Sequence, residues 1–324
     1  MHRVALEQLA TLVALIDEGT FEAAARRLHV TASAVSQRVK AMEQTTGRVL
    51  VQRTTPVMLT EAGDVMLRYA RQVELIEADT MRALRDNAGG GRPFTISLAV
   101  NADSLATWFL DSLAGLGDQL GVGFDLHRED QEHTIALLRA GTVMAAVTSA
   151  RESIQGCTTE ALGMMRYRAV AAPAFAARWL PQNPVLDALT EAPVVIFDRN
   201  DNLQDAFLRT HTGAGSSGPA HYIPTSNDFA RAVTLGFGWG LLPEQQCLAE
   251  IANGLLIELA PTHPLDLPLY WQRWNLSSPL LDAVSAAVRT GAASTLRPIA
   301  RAADTNARPD RTRRPAAGVH RRSP

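Results

Sequence analysis

The sequence predicts two unlike parts: an N-terminal all-α winged helix-turn-helix with a long linker helix, and then a larger α/β domain of two lobes. Three observations lead to this prediction. Two short helical segments meet at a tight turn near residue 30, a proline-free amphipathic stretch follows residue 60, and strand and helix patterns alternate after a glycine-rich hinge. The expected limits are 1–59 for the head, 60–88 for the linker helix, 93–296 for the α/β domain and 297–324 for a disordered basic tail.

Length and composition bound the class of protein. The chain has 324 residues, 46% of them apolar and 20% charged, so it can build a packed core. No apolar run reaches the roughly 18 residues of a membrane span, and the N-terminus lacks a secretory signal pattern. Two cysteines are too few for a disulfide framework and suit a reducing compartment. We therefore expect a cytoplasmic protein with no membrane partner.

The formal charge of −2 hides an uneven distribution along the chain. Residues 1–58 carry a net +2, residues 59–296 a net −10 and residues 297–324 a net +6. Within the head, six basic residues between positions 26 and 53 face one acidic residue, a local +5. A basic head on an acidic body predicts a head that meets a polyanion and a body with a different task.

Helix start and stop signals divide the head. Apolar residues recur at helical spacing from Leu6, and Glu18-Gly19 ends that first helix. Thr20 and Thr31 are N-caps for two short helices joined by a tight turn, the arrangement of a helix-turn-helix. These two helices are predicted over 21–28 and 32–44, and the two short strands of a wing over 49–53 and 56–59.

The chemistry of the third helix fits insertion into the major groove of DNA. Small residues at its start allow close approach, hydroxyl and amide groups can bond base edges, and basic groups can neutralise phosphates. Taken singly, these residues fit an ordinary helical hairpin with a solvated basic face better, whereas the assembled pattern favours DNA. The candidate DNA contacts are Arg26, Thr31, Ala32, Ser33, Ser36, Gln37, Arg38, Lys40 and Arg53.

The stretch from Thr60 to Asn87 contains no proline and is predicted to form one long helix. Its apolar residues follow a narrow seam, which suits pairing with another helix as well as packing onto the chain's own domain. The candidate dimerisation residues on that seam are Met66, Tyr69, Val73 and Ile76.

Beyond the glycine-rich hinge at 87–93, the pattern becomes that of an α/β domain. Phe94, Ile96, Leu98 and Val100 alternate with smaller or polar residues, which predicts a strand. Further strands are predicted at 122–127, 143–148, 163–171, 193–197, 255–259 and 267–273, with a short one at Leu241-Leu242. Lobe 1 is expected over 93–167 and 265–296, and lobe 2 over 168–264.

The motifs of the head resemble a known family. FEAAARRLHVTASAVSQRVKAMEQTTGRVLVQRT followed by LTEAG is similar to the winged helix-turn-helix of LysR-type transcriptional regulators, and the resemblance extends to about Leu296. It implies that the helix over 32–43 enters the major groove, that the linker helix dimerises the protein, and that the two-lobed domain is similar to periplasmic binding proteins and binds an effector. SLAVNADSLATWFL, APVVIFDRNDNLQDAFL, LGFGWGLLP and LYWQRW resemble the lysine- and arginine-export regulators of the LysG and ArgP type.

A cleft that holds a basic amino acid needs acceptors for its cations and donors for its carboxylate. The helix start near Asp103-Ser104 offers backbone N–H groups to a carboxylate. Carboxylates that follow strand ends, Asp201 among them, can pair with the cations of the ligand. Any one of these carboxylates, taken alone, fits a solvated surface residue or a helix cap better. The candidate effector contacts are Asn101, Asp103, Ser104, Glu129, Asp130, Thr148, Asp198, Ser226 and Asn227.

Other chemistry is not supported by the sequence. Gly213-Ala-Gly-Ser-Ser-Gly218 matches a dinucleotide fingerprint, but it lies in a polar loop and not after a strand. The histidines show no metal-ligand spacing, and no nucleophile or acid–base motif is present, so we expect neither a metal site, nor a cofactor, nor an enzyme. Cys157 and Cys247 are interpreted as packing residues.

The sequence therefore predicts a cytoplasmic, nucleoid-associated LysR-type regulator that senses lysine, arginine or histidine and activates an amino-acid exporter gene. Its expected partners are a double-stranded DNA operator, RNA polymerase, and a second or further copies in a homodimer or homotetramer. The alternatives are a LysR-type regulator of another effector and a low-specificity chromosome-binding protein. For the tail over 297–324 the alternatives are a solvated extension and weak, sequence-independent DNA contact.

Overall fold

A computed structural model describes residues 3–84, 94–128, 131–180 and 185–299. Two parts of very different size make up these ranges: a helical head with a long helix, and an α/β domain. None of the helices described is both long enough and apolar enough to cross a membrane.

The head contains the predicted three helices and wing. Gly19, with φ of +72°, ends the first helix in the left-handed conformation. Thr20 Oγ1 accepts a hydrogen bond from the Ala23 N–H, and Thr31 Oγ1 accepts one from the Ala34 N–H, so both predicted caps are confirmed. The elements are α1 (Leu6–Glu18), α2 (Phe21–Leu28), α3 (Ala32–Thr46), β1 (Val51–Gln52) and β2 (Met58–Leu59), with α3 slightly longer than predicted.

The long helix α4 (Glu61–Leu84) starts against the wing. Thr60 Oγ1 accepts from the Gly63 N–H and donates to the Val49 carbonyl, which joins the helix start to the segment that leads into β1. Gly63 is required here, because a Cβ at this position would lie 2.1 Å from the Leu50 carbonyl oxygen. The LTEAG motif is therefore the joint between wing and linker helix.

The same helix connects the head to the α/β domain. Leu67 and Ala70 are buried in the core of the head, whereas Leu75, two turns further on, belongs to the core of the α/β domain. The guanidinium of Arg68 donates to the carbonyls of Gln155 and Gly156. One helix thus packs on both parts of its own chain.

The predicted dimerisation seam divides into two pairs. Met66 and Val73 pack, partly buried, against the core of the head. Tyr69 and Ile76 are exposed, as is Val65 one turn before Tyr69. The periodicity alone could not separate these pairs, because the helix has apolar residues on the side facing its own head as well as on the open side.

The first half of the α/β domain supplies a parallel core. A continuous helical segment runs from Ala102 to Leu113 with one π-helical turn at Leu105–Phe109, where the helix LATWFL was predicted. Its elements are β3 (Phe94–Val100), α5 (Ala102–Ser104), α6 (Leu110–Leu113), α7 (Leu116–Leu120), β4 (Val122–Arg128), α8 (Gln131–Ala140), β5 (Ala145–Thr148) and β6 (Cys157–Ala171).

The second half adds the smaller lobe and then returns to the larger one. Strand β8 was not predicted, since its three residues carry no clear alternation. The elements are α9 (Pro173–Trp179), α10 (Val185–Leu189), β7 (Val194–Ile196), α11 (Leu203–Thr212), β8 (Ala220–Tyr222), α12 (Ser226–Thr234), β9 (Gly240–Pro243), α13 (Glu244–Ala252), β10 (Ile257–Glu258), β11 (Leu265–Trp274) and α14 (Pro279–Thr295).

One strand is shared by both lobes. The sheet order is β10-β6-β11-β5-β3-β4, with β9 also paired to β6, and β7 and β8 form a separate parallel pair. The first part of β6 pairs with β11 in lobe 1, and its last residues, from Tyr167 to Ala171, pair with β9 and β10 in lobe 2. The predicted lobe limit between 167 and 168 therefore falls inside a continuous strand and not at a break between two sheets.

The predicted tail also needs a correction at its start. The backbone of Arg297 exchanges two hydrogen bonds with Met164 on β6, and its guanidinium binds Glu244. The chain is thus fixed to the domain at 297, where the sequence predicted disorder, because a single arginine there finds a buried carboxylate. Residues 300–324 of the predicted tail lie outside the described residues, as does the predicted hinge at 87–93.

We expect Gly63→Ala to destabilise the head by about 1–3 kcal/mol, because the added methyl group would overlap the Leu50 carbonyl and force the wing away from the linker helix. Urea unfolding followed by circular dichroism measures this loss. Glu61→Ala, which changes an exposed residue of the same helical turn, should alter stability by less than about 0.5 kcal/mol. Equal stability of Gly63→Ala and wild type would show that the wing does not depend on this contact.

Candidate nucleic-acid interface and ligand cleft

Helix α3 presents a polar face to solvent and an apolar face to the head. Val35, Val39 and Met42 are fully buried against α1 and α2. Ser33, Gln37 and Lys40 are exposed, and their spacing places them along one side of the helix. This exposed row contains two hydrogen-bonding side chains and one cation, the combination that reads base edges and contacts phosphate.

The remaining predicted DNA contacts fall into different environments. Thr31 is exposed but its hydroxyl caps α3, while Ala32 and Ser36 are half-buried. Arg26 is exposed at the end of α2, and Arg53 is exposed on the wing with its guanidinium 5.7 Å from the centre of the Phe21 ring.

Arg38 is the least free of the predicted DNA contacts. Its guanidinium lies 3.3 Å from a carboxylate oxygen of Glu7 and 3.4 Å from the hydroxyl of Thr11, both on α1. Only 30% of its side chain is exposed. In this arrangement it joins α3 to α1, and a phosphate would have to compete with Glu7 for it.

A cavity of about 400 Å³ lies where the two lobes meet at β6. Side chains from both lobes surround it, with a mixture of carboxylates, amides and apolar groups. Its lining includes Asn101, Asp103, Arg128, His133, Tyr167, Phe197, Asp198, Asn200, Asp201, Gln204, Ser226 and Gln246.

Asp103 bridges the two lobes inside this cavity. Its Oδ2 accepts a hydrogen bond of 2.7 Å from the hydroxyl of Tyr167 on the shared strand, and its Oδ1 accepts one of 2.7 Å from the hydroxyl of Ser226 on lobe 2. Burial raises the pKa of the Asp103 carboxyl, and the two hydrogen bonds offset that rise only in part. The cleft therefore holds a carboxylate that lacks a cationic partner among the described residues.

Two residues that line the same cavity carry buried amide oxygens without donors. Asn101 Oδ1 and Gln204 Oε1 are buried and accept no hydrogen bond from the described residues. A buried acceptor left without a donor costs about 1–3 kcal/mol, so both oxygens favour a ligand that carries N–H groups. Asp198 and Asp201 add negative charge, although each also accepts backbone N–H groups of its own loop.

Arg128 supplies the opposite charge. Its Nη1 donates to the Pro224 carbonyl at 2.9 Å, which spans the cleft from lobe 1 to lobe 2, and its guanidinium lies over the Phe197 ring. The other N–H groups of a guanidinium form a planar fork that suits a carboxylate. The cavity thus combines a cluster of acceptors with a cationic donor.

Two family models match the chain, "Bacterial regulatory helix-turn-helix protein, lysR family" over residues 6–64 and "LysR substrate binding domain" over residues 89–293. The chain belongs to the LysR family. Its parts are those of a LysR-type, DNA-binding transcriptional regulator with an effector-binding domain, and that family consists of regulators and not of enzymes, as the sequence predicted.

Relatives of this LysR-family chain extend along most of its length. The transcriptional regulator LysG of Mycobacterium tuberculosis is 42% identical over 290 residues, which cover 90% of this chain and 94% of that protein. The crystal structure of ArgP from M. tuberculosis has a TM-score of 0.80 at 41% identity and covers 90% of this chain and 98% of that one. Full-length LysG from Corynebacterium glutamicum with bound effector Arg has a TM-score of 0.73 at 38% identity, covering 91% and 100%.

The cleft of this LysR-family domain gathers part of the predicted effector set. Asn101, Asp103, Asp198 and Ser226 line the cavity, and Asn227 lies beside it, where its Oδ1 accepts a hydrogen bond from Gln246. Glu129 and Asp130 lie outside the described residues.

Two members of that predicted set lie away from the cavity. Ser104 is fully buried beneath the helix start. The hydroxyl of Thr148 donates to the Ala150 carbonyl and accepts from Gln272 inside the domain, so this residue fixes a loop and does not face the cleft. Both residues were predicted because they lie close to a strand end in the sequence, and that position does not determine the direction of the side chain.

The sequence reasoning missed Tyr167, Arg128, Gln204 and Gln246. One signal for Gln204 was available, since Phe207 and Leu208 are one turn away on the buried face of α11 and Gln204 is 3% exposed. A polar residue on an apolar helix face points to a polar interior or a ligand. Tyr167 carried no comparable signal, because a tyrosine in a buried strand fits ordinary core packing.

We expect Asp103→Asn to raise the melting temperature of the effector-free protein by at least ~2 °C at neutral pH. Because the folded pKa of Asp103 lies above its unfolded value, the ionised carboxylate costs stability as pH rises through the folded pKa. The difference between variant and wild type should therefore shrink as pH falls through the folded pKa, and it should be smallest below the ordinary value of 3.8, where the carboxyl is protonated in both states. Differential scanning calorimetry across this range measures it.

Asp111→Asn, an exposed residue on the following helix, serves as the matched control and should change stability by less than about 0.5 kcal/mol. A melting temperature of Asp103→Asn at or below that of wild type at neutral pH would show that the ionised carboxylate is already well compensated.

Proposed function

We propose that this LysR-family regulator senses a basic amino acid, lysine, arginine or histidine, in the cleft between its lobes. The observation that favours this most is the surplus of acceptors there: the buried carboxylate of Asp103 and the donor-free oxygens of Asn101 and Gln204. A ligand with several N–H groups and a positive charge satisfies all three at once. The bound Arg in the C. glutamicum relative supports the same ligand class.

The orientation of that ligand follows from the charge distribution in the cleft. Arg128 is suited to the α-carboxylate, since its guanidinium is already aligned by Pro224 and Phe197. The cationic groups of the ligand then face Asp103, Asp198 and Asp201. No cofactor is required for this function, because ligand binding alone shifts the balance between lobe arrangements.

The output of this binding is control of transcription. Two heads paired through the exposed stripe of Val65, Tyr69 and Ile76 would contact two half-sites of an operator, as a homodimer or as part of a homotetramer. The output that we propose is activation of an exporter gene for the sensed amino acid, through contact with RNA polymerase. The Corynebacterium relatives, which are named lysine export transcriptional regulatory proteins, support an exporter as the target. This activity places the protein in the cytoplasm, associated with the nucleoid.

Thermal-shift screening of the full-length protein against the twenty amino acids tests the ligand. Lysine, arginine or histidine should raise the melting temperature, while glutamate should not. Gln204→Met keeps the volume of the side chain but removes its acceptor, and we expect it to weaken binding of the active amino acid by about tenfold.

Gln119→Met, an exposed change elsewhere in the domain, should bind that amino acid like wild type. Stabilisation by a different class of compound, with no response to basic amino acids, would favour a regulator of another effector.

For DNA, we expect different effects from neighbouring positions on α3. Gln37→Ala should lower the preference for operator over random DNA by about 1–3 kcal/mol, because it removes a contact to a base edge. Lys40→Ala should weaken binding to both DNAs alike and reduce the slope of log affinity against log salt by about 1, because it removes a phosphate contact. Fluorescence anisotropy with labelled duplexes measures both quantities.

Arg139→Ala, which removes an exposed arginine from the effector domain, is the control for net charge. If wild type binds operator and random DNA with the same affinity, the low-specificity chromosome-binding alternative is favoured over a sequence-specific regulator.

A further inference from the structure

The end of the effector domain contacts both lobes beside β6. Helix α14 packs in the core of lobe 1 through residues such as Val284 and Val288. After it ends, Leu296 stays buried and Arg297 pairs with Met164 on the shared strand in antiparallel fashion. The segment Leu296–Arg297, which we name the strap, thus leaves α14 in lobe 1 and lies along the edge of β6.

The strap requires a glycine in the strand beside it. Gly163, with φ of +154°, lies against the strap, and a Cβ there would lie 2.7 Å from the Leu296 Cβ and 2.8 Å from the Arg297 carbonyl oxygen. The pairing of β6 with β11 also shifts register next to this glycine. The bulge and the glycine together leave room for the strap at the edge of the strand.

The strap also binds lobe 2 at the start of α13. Arg297 Nε and Nη2 donate to Glu244 Oε2 at 3.0 and 2.8 Å, and Gln245 Nε2 donates to the Thr295 carbonyl at 3.1 Å. The Glu244 side chain is 10% exposed and is also bound by Arg168 from the shared strand. Arg168 holds Glu258 as well, so the contact belongs to a network of ion pairs between strand, helix and strap.

The first turn of α13 has its other side on the ligand cleft. Pro243 and Gln246, which flank Glu244 along the chain, both line the cavity. Gln246 Nε2 donates to Ser226 Oγ at 3.0 Å, and that hydroxyl in turn donates to Asp103. A change in the position of Glu244 therefore moves Gln246 and, through it, the Ser226 hydroxyl that binds Asp103 across the cleft.

We infer that Arg297 is a positioning residue for effector binding, which holds lobe 2 in the arrangement that lets Gln246 and Ser226 close on the ligand. It acts through Glu244 and touches no ligand itself. Loss of its contacts releases the first turn of α13 and populates arrangements in which the cleft is wider, so part of the binding energy goes into restoring the closed one. The inference rests on the proposed effector function of the cleft.

Arg297→Gln in the full-length protein tests this role in two independent measurements. In effector-free protein, hydrogen exchange of the backbone over α12 and α13 should become at least about threefold faster, while that of β3 and β5 in lobe 1 stays unchanged. In calorimetric titration with arginine, the dissociation constant should rise roughly threefold to tenfold. A general loss of stability would instead speed exchange in both lobes.

Arg289→Gln is the matched control, because Arg289 lies on α14 just before the strap and pairs with Glu160 at 3.1 Å without reaching lobe 2. A protein shortened to residues 1–299 keeps the strap and removes the basic tail. Both should exchange and bind arginine like wild type. Altered binding in the shortened protein, with Arg297→Gln unchanged, would transfer the role from the strap to the tail.

Unchanged hydrogen exchange in α12 and α13 of Arg297→Gln would overturn the inference whatever the ligand proves to be. If wild type itself shows no binding of basic amino acids, the proposed function is refuted, while the exchange comparison still decides whether the strap positions lobe 2. Faster exchange with an unchanged dissociation constant would show that the strap orders lobe 2 without serving the ligand, which also overturns the inference.

Discussion

The continuous strand β6 is the constraint on which the rest of the effector domain depends. Its first residues pair with β11 in lobe 1 and its last residues pair with β9 and β10 in lobe 2, so the lobes share a backbone ladder. Tyr167 lies where one set of partners gives way to the other, and its hydroxyl binds Asp103. The ligand cleft therefore opens beside the strand that the two lobes share.

Some of the basic residues of the head are paired with carboxylates in the tertiary structure, so the net charge alone does not show which of them are free to contact DNA. Arg27 pairs with Asp17 and Glu18, and Arg38 faces Glu7, so part of the local +5 serves to hold the head together. Arg71 on the linker helix shares Asp17, which joins that helix to the same network. In the described part of the chain, no ion pair involves Arg26, Lys40, Arg48 or Arg53, and these keep their charge for a polyanion.

The fold was predictable where a local rule decides the structure. Gly19, Thr20 and Thr31 set helix limits through conformations and hydrogen bonds that involve only nearby residues. The glycines of LGFGWGLLP allow close packing, since a Cβ at Gly238 or Gly240 would overlap Pro193 or Phe229. The site was less predictable, because Tyr167 and Gln204 become polar groups of a cleft only when elements far apart in the chain converge.

By itself, the sequence determined the two-part architecture, the helix-turn-helix, most of the strands, and membership of the LysR family. These follow from periodicity, caps and motifs, which act over a few residues or appear directly as a pattern. Only the tertiary structure decided that Asp103 lies between Tyr167 and Ser226, that Thr148 turns inward, and that Arg297 is fixed to Glu244. Each of these contacts depends on the direction of a side chain after distant strands have paired. The charge and spacing of residues along the chain do not determine that direction.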